Sequence, residues 1–175
     1  MIVTVEKVKK FPQFKNMDDE EIKDKLDALE ILIRKYTNNN FQNRNIRFTA
    51  SSTDNNLNGS SAYLKVGDTI QISQSDVNDG LYVIKSISSG FMTLDEDLYN
   101  HDKNLVTKVE YPADIKQGII NLMLWEIENR NKVGIKSETL SRHSVTYFDL
   151  DTNNQVAGYP VSLLGFLDKY KKARF

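Results

Sequence analysis

The sequence contains no cysteine, and in 175 residues it has only two histidines and three prolines. Without thiols the chain forms no disulfide and no thiolate metal site, which fits an intracellular assembly pathway. Long apolar runs are also missing. No segment reaches the roughly 18 to 20 apolar residues that span a bilayer, and the start of the chain, MIVTVEKVKKF, lacks the apolar core of a signal peptide. We therefore expect a soluble protein with no membrane partner.

The chain also has almost no net charge. Its 23 Lys and Arg residues against 24 Asp and Glu residues give a formal charge of -1. Such a balance provides no general attraction for nucleic acid or for an anionic membrane. The 39% hydrophobic content suffices for one core with a small satellite, and it argues against two full-sized domains.

Candidate catalytic and metal-binding residues are few. The histidines, His101 and His143, stand in no pattern with a nucleophile and an orienting acid. The segment DEDLYNHD at 95–102 is acidic, but it lacks the ligand spacing of an EF-hand, and a solvated loop is the alternative interpretation. No glycine pattern matches a phosphate-binding loop. We predict no catalytic residue, no cofactor and no metal, and thus a protein that is not an enzyme.

Two segments have the apolar spacing of helices. The first lies near residues 18–37, after the capping oxygens of Asn16 and Asp18. The second spans about 112–131, because Pro112 suits a first turn and Asp114 complements the helix dipole. Its apolar residues cover more than a single stripe, which predicts burial on more than one side. We expect copies of the chain to associate through the surfaces of these two helices.

Between the helices the apolar period changes from about 3.6 to 2. The polar run SSTDNNLNGSS at 51–61 predicts a flexible connection. Five short strands follow, at 62–66, 69–73, 81–87, 91–94 and 105–110, and their close spacing predicts a compact barrel or curled sheet. Small barrels often bind oligonucleotides, and here Tyr63, Tyr82 and Phe91 alternate with lysines, but nearby acids oppose that role and core packing is the alternative.

The predicted fold class is α+β, a small helical bundle body with an inserted small β-barrel-like module and an extended C-terminal arm or helix. The body comprises 1–50 and 111–175, and the module with its linker comprises 51–110. A strand or extended arm is expected at 144–150 and an amphipathic helix at 160–170. The last residues, KYKKARF, are basic and aromatic; they form either a frayed, solvated end or a docking peptide.

The order of these elements resembles the head-tail connector (adaptor, or head-completion) family of long-tailed bacteriophages. The resemblance is carried by DDEEIKDKLDALEILIRKYTN, by the pattern P-x-D-I-K-x-[AG]-I-x-x-L from Pro112 to Leu122, and by S-E-x-x-[SG]-x-x-S-V-x-Y from Ser137 to Tyr147. It implies a structural protein of the virion's head-tail interface, assembled in the cytoplasm of a bacterial host. About twelve copies would form a ring under the portal vertex and close the DNA-filled capsid.

The resemblance also implies the partners: other copies of the chain, the portal protein and the next tail-side connector or stopper. Packaged DNA would pass through the channel without sequence-specific binding. The sequence alternative is a regulatory protein that binds nucleic acid through its β module. The residues expected to dock on the portal are Lys169, Tyr170, Lys171, Lys172, Arg174 and Phe175, and those expected between subunits are Ser137, Ser144, Val145, Tyr147 and Phe148.

Overall fold

A computed structural model describes residues 2–129, 137–140, 143–146 and 154–173, with the backbone alone for 137–140 and 143–146. The chain forms two compact units. The sheet unit is Asn40–Tyr111, and the helical unit combines Ile2–Asn39 with Pro112–Phe175. The mixed α and β composition predicted from the sequence is confirmed. The units divide at 39/40 rather than at 50/51, because one continuous strand begins at Gln42.

The helical unit is mostly helical, with short strands after its long helices. Its helices are α1 Val5–Val8, the 3₁₀ turn η1 Pro12–Phe14, α2 Asp19–Thr37, α3 Ala113–Asn129 and the 3₁₀ helix η2 Val161–Tyr170. Its strands are β7 Ser137–Leu140, β8 His143–Thr146, β9 Gln155–Val156 and β10 Tyr159–Pro160. In the part of the chain that the structure describes, no helix is both long and apolar enough to cross a membrane.

Helix α2 confirms the predicted helix at 18–37. The Asp18 side chain accepts from the Glu20 N–H at 2.9 Å and caps the first turn. Asn38 ends the helix in the left-handed conformation, at φ 49°, which asparagine tolerates better than most residues. The face buried in the unit includes Ile22, Leu26, Leu29 and Ile33.

Helix α3 confirms the predicted second helix over Ala113–Asn129; its expected end lies outside the described residues. Ile119 and Ile120 are both buried although neighbouring side chains point about 100° apart. Burial on more than one side is thus confirmed. Gly118 is buried as well, and the ring of Phe166 lies against it.

The expected amphipathic helix at 160–170 is instead a 3₁₀ helix, η2. Leu164 and Leu167, both fully buried, are three residues apart, and this spacing keeps them on one face when a helix has three residues per turn.

The sheet unit consists of six antiparallel strands whose pairing order, β1-β2-β5-β4-β3-β6, closes when β6 pairs back to β1. The strands are β1 Gln42–Thr53, β2 Asn56–Asn58, β3 Thr69–Ser73, β4 Gly80–Ser88, β5 Phe91–Leu94 and β6 His101–Val109. The closed sheet has its own core, which includes Leu57, Ile70, Ile84, Met92 and Val106. The strands predicted at 69–73, 81–87, 91–94 and 105–110 are confirmed in substance, although β6 begins four residues earlier.

Two predictions for this region are wrong. Residues 51–58 are not a flexible connection, because β1 continues to Thr53 and β2 pairs with it from Asn56. Asp54 and Asn55 form the tight turn between them, with φ values of 50° and 61°, a conformation that favours short polar residues at both positions. The strand predicted at 62–66 is a turn region with no strand pairing.

Candidate assembly surfaces

The C-terminal segment is attached to the helical unit at its first two residues. Lys169 Nζ lies 2.8 Å from Asp114 Oδ2, and the Tyr170 hydroxyl donates to Asp114 Oδ1 at 2.8 Å. Asp114 stands in the first turn of α3, where a negative charge also complements the helix dipole. One carboxylate therefore holds both a charged and an aromatic residue at the start of the segment.

These contacts shift the pKa of all three groups. The hydrogen bond from Lys169, followed by that from Tyr170, lowers the pKa of Asp114 below its usual 3.8 although partial burial opposes the shift. The same carboxylate raises the pKa of Lys169 above 10.5. Burial, and then the hydrogen bond to Asp114, raises the pKa of Tyr170. At neutral pH the cluster is thus an ion pair with a neutral phenol.

Two asparagines at the end of α2 hold the backbone of the same segment. Asn38 Nδ2 donates to the carbonyl of Ala173 at 2.9 Å, and Asn39 Nδ2 donates to the carbonyl of Tyr170 at 3.1 Å. Asn39 is buried, so its amide has few alternative partners in water. Residues 169–173 thus have defined contacts with the helical unit, although Lys169, Lys171, Lys172 and Ala173 are exposed.

Lys171 and Lys172 add further contacts with the helical unit. Lys171 Nζ lies 2.8 Å from Asp168 Oδ1, donates to the Tyr36 hydroxyl at 3.0 Å and stands over the Tyr36 ring. The first two contacts raise the pKa of Lys171. The backbone N–H of Lys172 donates to the carbonyl of Thr37 at 2.8 Å.

Of the six residues expected to dock on a portal, the structure brings Lys169, Tyr170, Lys171 and Lys172 together against the helical unit; Arg174 and Phe175 lie outside the described residues. Sequence reasoning missed the groups that receive them. In the sequence Asp114 indicates only a partner for the helix dipole, and Asn38 and Asn39 indicate no contact with the C-terminal segment. No local pattern links these positions to a segment more than 50 residues away.

The residues expected between subunits include three that lie on a hairpin. Strand β7 pairs antiparallel with β8 in the register Ser137↔Thr146 to Leu140↔His143. Among the described strands, neither pairs with any other. Ser137, Ser144 and Val145 thus stand on a two-stranded sheet, whereas Tyr147 and Phe148 lie outside the described residues, as does most of the arm expected at 144–150.

A groove runs beside α2 and is lined by exposed and half-buried residues of the helix together with the buried Leu29. Its floor includes Ala28, Ile31, Leu32 and Tyr36, and its other wall is formed around Tyr159 in β10. Ile31 is 59% exposed, which is unusual for an isoleucine in the middle of a long helix. The groove has a volume of about 640 Å³, room for several side chains but not for a folded domain.

Charged groups hold one end of this groove in shape. Lys25 Nζ lies 3.2 Å from Glu126 Oε1, and the Tyr159 hydroxyl donates to the other oxygen of Glu126. The Tyr159 ring also packs against Trp125 of α3, with ring centroids 5.7 Å apart. The wall of the groove is therefore fixed by side chains from α2 and α3.

In the sheet unit, a buried amide organises the loops at one end of the closed sheet. Asn78 Nδ2 donates to the Tyr99 carbonyl at 2.9 Å and to Asn104 Oδ1 at 3.2 Å, and Asn78 Oδ1 accepts from the Tyr99 N–H at 2.8 Å. Asn104 in turn donates to the Ala50 carbonyl at 3.1 Å. These bonds hold the loop at 74–79 against the loop at 95–100.

The same end of the sheet is acidic. Burial raises the pKa of Tyr82, and the charges of Glu96, Asp79 and Asp95 raise it further. The exposed side chain of Tyr99 stands in this region, 72% accessible. A surface with this charge repels phosphate groups.

The other residues weighed from the sequence occupy ordinary positions. His101 Nδ1 lies 2.9 Å from the Lys103 carbonyl. Within the described ranges, no group of three or more His, Asp or Glu side chains is arranged to hold a metal ion. Of the three aromatics expected in the core of the β module, only Tyr82 is buried, while Tyr63 and Phe91 are exposed.

Comparison of the sequence with protein-family models and with curated proteins gives no match.

Proposed function

We propose that this chain is a structural head-tail connector, or adaptor, of a long-tailed bacteriophage. About twelve copies form a ring under the portal vertex, close the DNA-filled capsid and provide a platform for the next tail-side protein. The work is mechanical, so the protein needs no catalytic residue and no cofactor. The helical unit serves as the bundle body, and the closed sheet is the inserted barrel-like module.

The observation that carries this proposal is the β7–β8 hairpin. A two-stranded sheet alone is marginally stable in water, and each of its edges presents unpaired N–H and C=O groups. Neither strand pairs with another described strand, which leaves edge pairing with a neighbouring subunit as the proposed role of the hairpin. When the β7 edge of one copy pairs with the β8 edge of the next, the contact is head-to-tail, and repeated contacts of this kind form a ring if the rotation closes.

The attachment of the C-terminal segment supports a docking role for the two residues that follow it. The backbone is held as far as Ala173, whose carbonyl accepts a hydrogen bond from Asn38. Holding a peptide in place before it binds reduces the entropy lost on binding. An aromatic ring with adjacent cations suits a pocket on an acidic partner surface. Lys169, Tyr170, Lys171 and Lys172 then position this end of the chain beside the portal.

The charge of the sheet unit supports the passage of DNA without specific binding. Its acids at 79, 95 and 96 surround Tyr82, and Asp76 and Asp97 are exposed nearby in the sequence. This feature disfavours the alternative function as a nucleic-acid-binding regulator. A DNA band shift at low salt that disappears with added salt would favour that alternative.

A truncation tests the docking role. Removing only Arg174 and Phe175 leaves every described contact of residues 169–173 in place, so the fold should be unchanged in circular dichroism. We expect the truncated protein to lose attachment to portal rings in electron microscopy and to give heads that leak DNA. Normal attachment and normal yield of infectious particles would contradict the docking role.

A proline substitution tests the hairpin. Val145→Pro removes a backbone N–H and should abolish rings, whereas Val145→Thr keeps a residue with high strand propensity and should preserve them. Light scattering of each variant, alone and with the portal protein, measures whether rings form. A strict monomer at high concentration and with portal present would contradict the proposed function itself.

A further inference from the structure

One face of helix α2 is covered by the described residues of its own unit, and a second face exposes the apolar side chains of Ala28 and Ile31. The covered face includes Ile22, Leu26 and Ile33. The second face, which we call the α2 stripe, consists of Asp24, Ala28, Ile31 and Lys35. Its members follow one another at spacings of four, three and four residues, so they form one line along the helix.

The α2 stripe has apolar residues in the middle and opposite charges at its two ends. Ala28 and Ile31 are the central pair, Asp24 is the acidic end and Lys35 the basic end; Asp24, Ala28, Ile31 and Lys35 are all exposed. Leu32 and Tyr36 lie beside the stripe in the groove described above. A partner helix that buries Ala28 and Ile31 must therefore place a positive charge near Asp24 and a negative charge near Lys35.

A second copy of the same helix meets this requirement when it runs antiparallel. In an antiparallel pair with its two-fold axis between residues 29 and 30, facing positions have numbers that sum to 59. Ile31 of each copy then packs on Ala28 of the other, where a small side chain leaves space. Asp24 of each copy faces Lys35 of the other, so the contact contains two equivalent ion pairs, one at each end. A parallel pair in register would set Asp24 against Asp24 and Lys35 against Lys35 instead.

We propose that two copies of the free protein pair antiparallel through the α2 stripe. The occupant of the groove beside α2 is thus the α2 helix of a second copy, whose Ile31 covers Ala28 and the neighbouring apolar wall. This contact is isologous: each copy contributes the same surface and the assembly closes after two. It differs from the head-to-tail contact of a ring, and it stands or falls independently of the proposed connector function.

Charge exchange tests the pairing and its direction. Asp24→Lys alone places like charges opposite each other at both ends, and so does Lys35→Glu alone. Each single variant should raise the dimer dissociation constant at least about tenfold, and the double variant Asp24→Lys/Lys35→Glu should restore it. Lys23→Glu, on an exposed lysine outside the stripe, is the matched control and should leave dimerisation unchanged. Analytical ultracentrifugation of the full chain measures all five proteins.

The absence of native cysteine permits a direct test of the register. A mixture of Ala28→Cys and Ile31→Cys chains should form a disulfide between copies on mild oxidation, faster than either variant by itself, because positions 28 and 31 face each other. Circular dichroism of each variant checks the fold.

Three results would overturn the proposal. One is a wild-type protein that stays monomeric at high concentration. Another is a double charge variant that is no better than the single ones. The third is equal cross-linking in the mixed and separate cysteine variants, which would place a different surface or a different partner at the groove.

Discussion

The ring of Phe166 in η2 occupies the space where a side chain on Gly118 of α3 would begin. A β-carbon at Gly118 would stand closer to three ring atoms than real contacts allow. The close approach brings η2 against α3 and so places Lys169 and Tyr170, the last two residues of η2, next to Asp114. The pattern P-x-D-I-K-x-[AG]-I thus has a small residue where the structure packs an aromatic ring.

Gly118→Ala should destabilise the protein. Alanine is the better helix former by about 1 kcal/mol, but the inserted methyl group must displace Phe166, and overpacking costs about 1 to 3 kcal/mol. We therefore expect a lower free energy of unfolding for Gly118→Ala, measured by chemical denaturation. The double variant Gly118→Ala/Phe166→Leu should recover part of the loss, because the smaller side chain makes room. A Gly118→Ala protein more stable than the wild type would contradict the packing described here.

Asp114→Asn should reduce stability at neutral pH and have little effect in acid. The folded-state pKa of Asp114 lies below its usual 3.8, so its ionised form contributes stability above that value and loses it as the pH falls through the lower folded pKa. The loss at pH 7 should be about 1 kcal/mol, since the group is partly exposed. Denaturation at pH 7 and pH 2.5 measures the difference.

Asp168→Asn is the control for that experiment, because Asp168 pairs with Lys171 on an exposed surface. The substitution should change the free energy of unfolding little at either pH. If Asp168→Asn costs as much as Asp114→Asn, the Asp114 cluster is not what holds the C-terminal segment.

Two substitutions of Asn38, at the end of α2, separate the effect of its side-chain hydrogen bond from the effect of its backbone conformation. Asn38→Gly removes the hydrogen bond to Ala173 but keeps a residue suited to a φ of 49°. Asn38→Ala removes the bond and strains the backbone, so it should be less stable than Asn38→Gly by about 1 kcal/mol. Amide exchange in residues 170–173 should accelerate in both variants. If amide exchange in these residues is unchanged, the hydrogen bond from Asn38 does not hold the segment.

Asn78→Ala should destabilise the sheet unit strongly. It leaves the Tyr99 N–H and Asn104 Oδ1 without their partner, and each buried polar group left unsatisfied costs about 1 to 3 kcal/mol. Asn58→Ala is the matched control, because Asn58 is an exposed asparagine of the same unit. Near-ultraviolet circular dichroism and urea denaturation measure the effect; equal stability of the two variants would contradict a structural role for Asn78.

Elements with local signals are predicted correctly from the sequence. Helices α2 and α3 were predicted because apolar residues at helical spacing and good capping residues lie within each segment. Strands β3 and β5 were predicted within their observed bounds because alternation and turn residues mark them. These signals relate residues only a few positions apart, because the side-chain periods of a helix and of a strand are 3.6 and 2 residues.

Long-range contacts determine where polar segments pair and which helix faces are covered. Residues 51–58 have few apolar anchors, and they form strands because β6 and β5 supply their hydrogen-bond partners. Ile31 is as apolar as Ile33 on the same helix, yet it is exposed while Ile33 is buried. Asp114 meets Tyr170 across 56 positions of the chain. Such contacts depend on which surfaces fold against each other, and local periodicity carries no information about that choice.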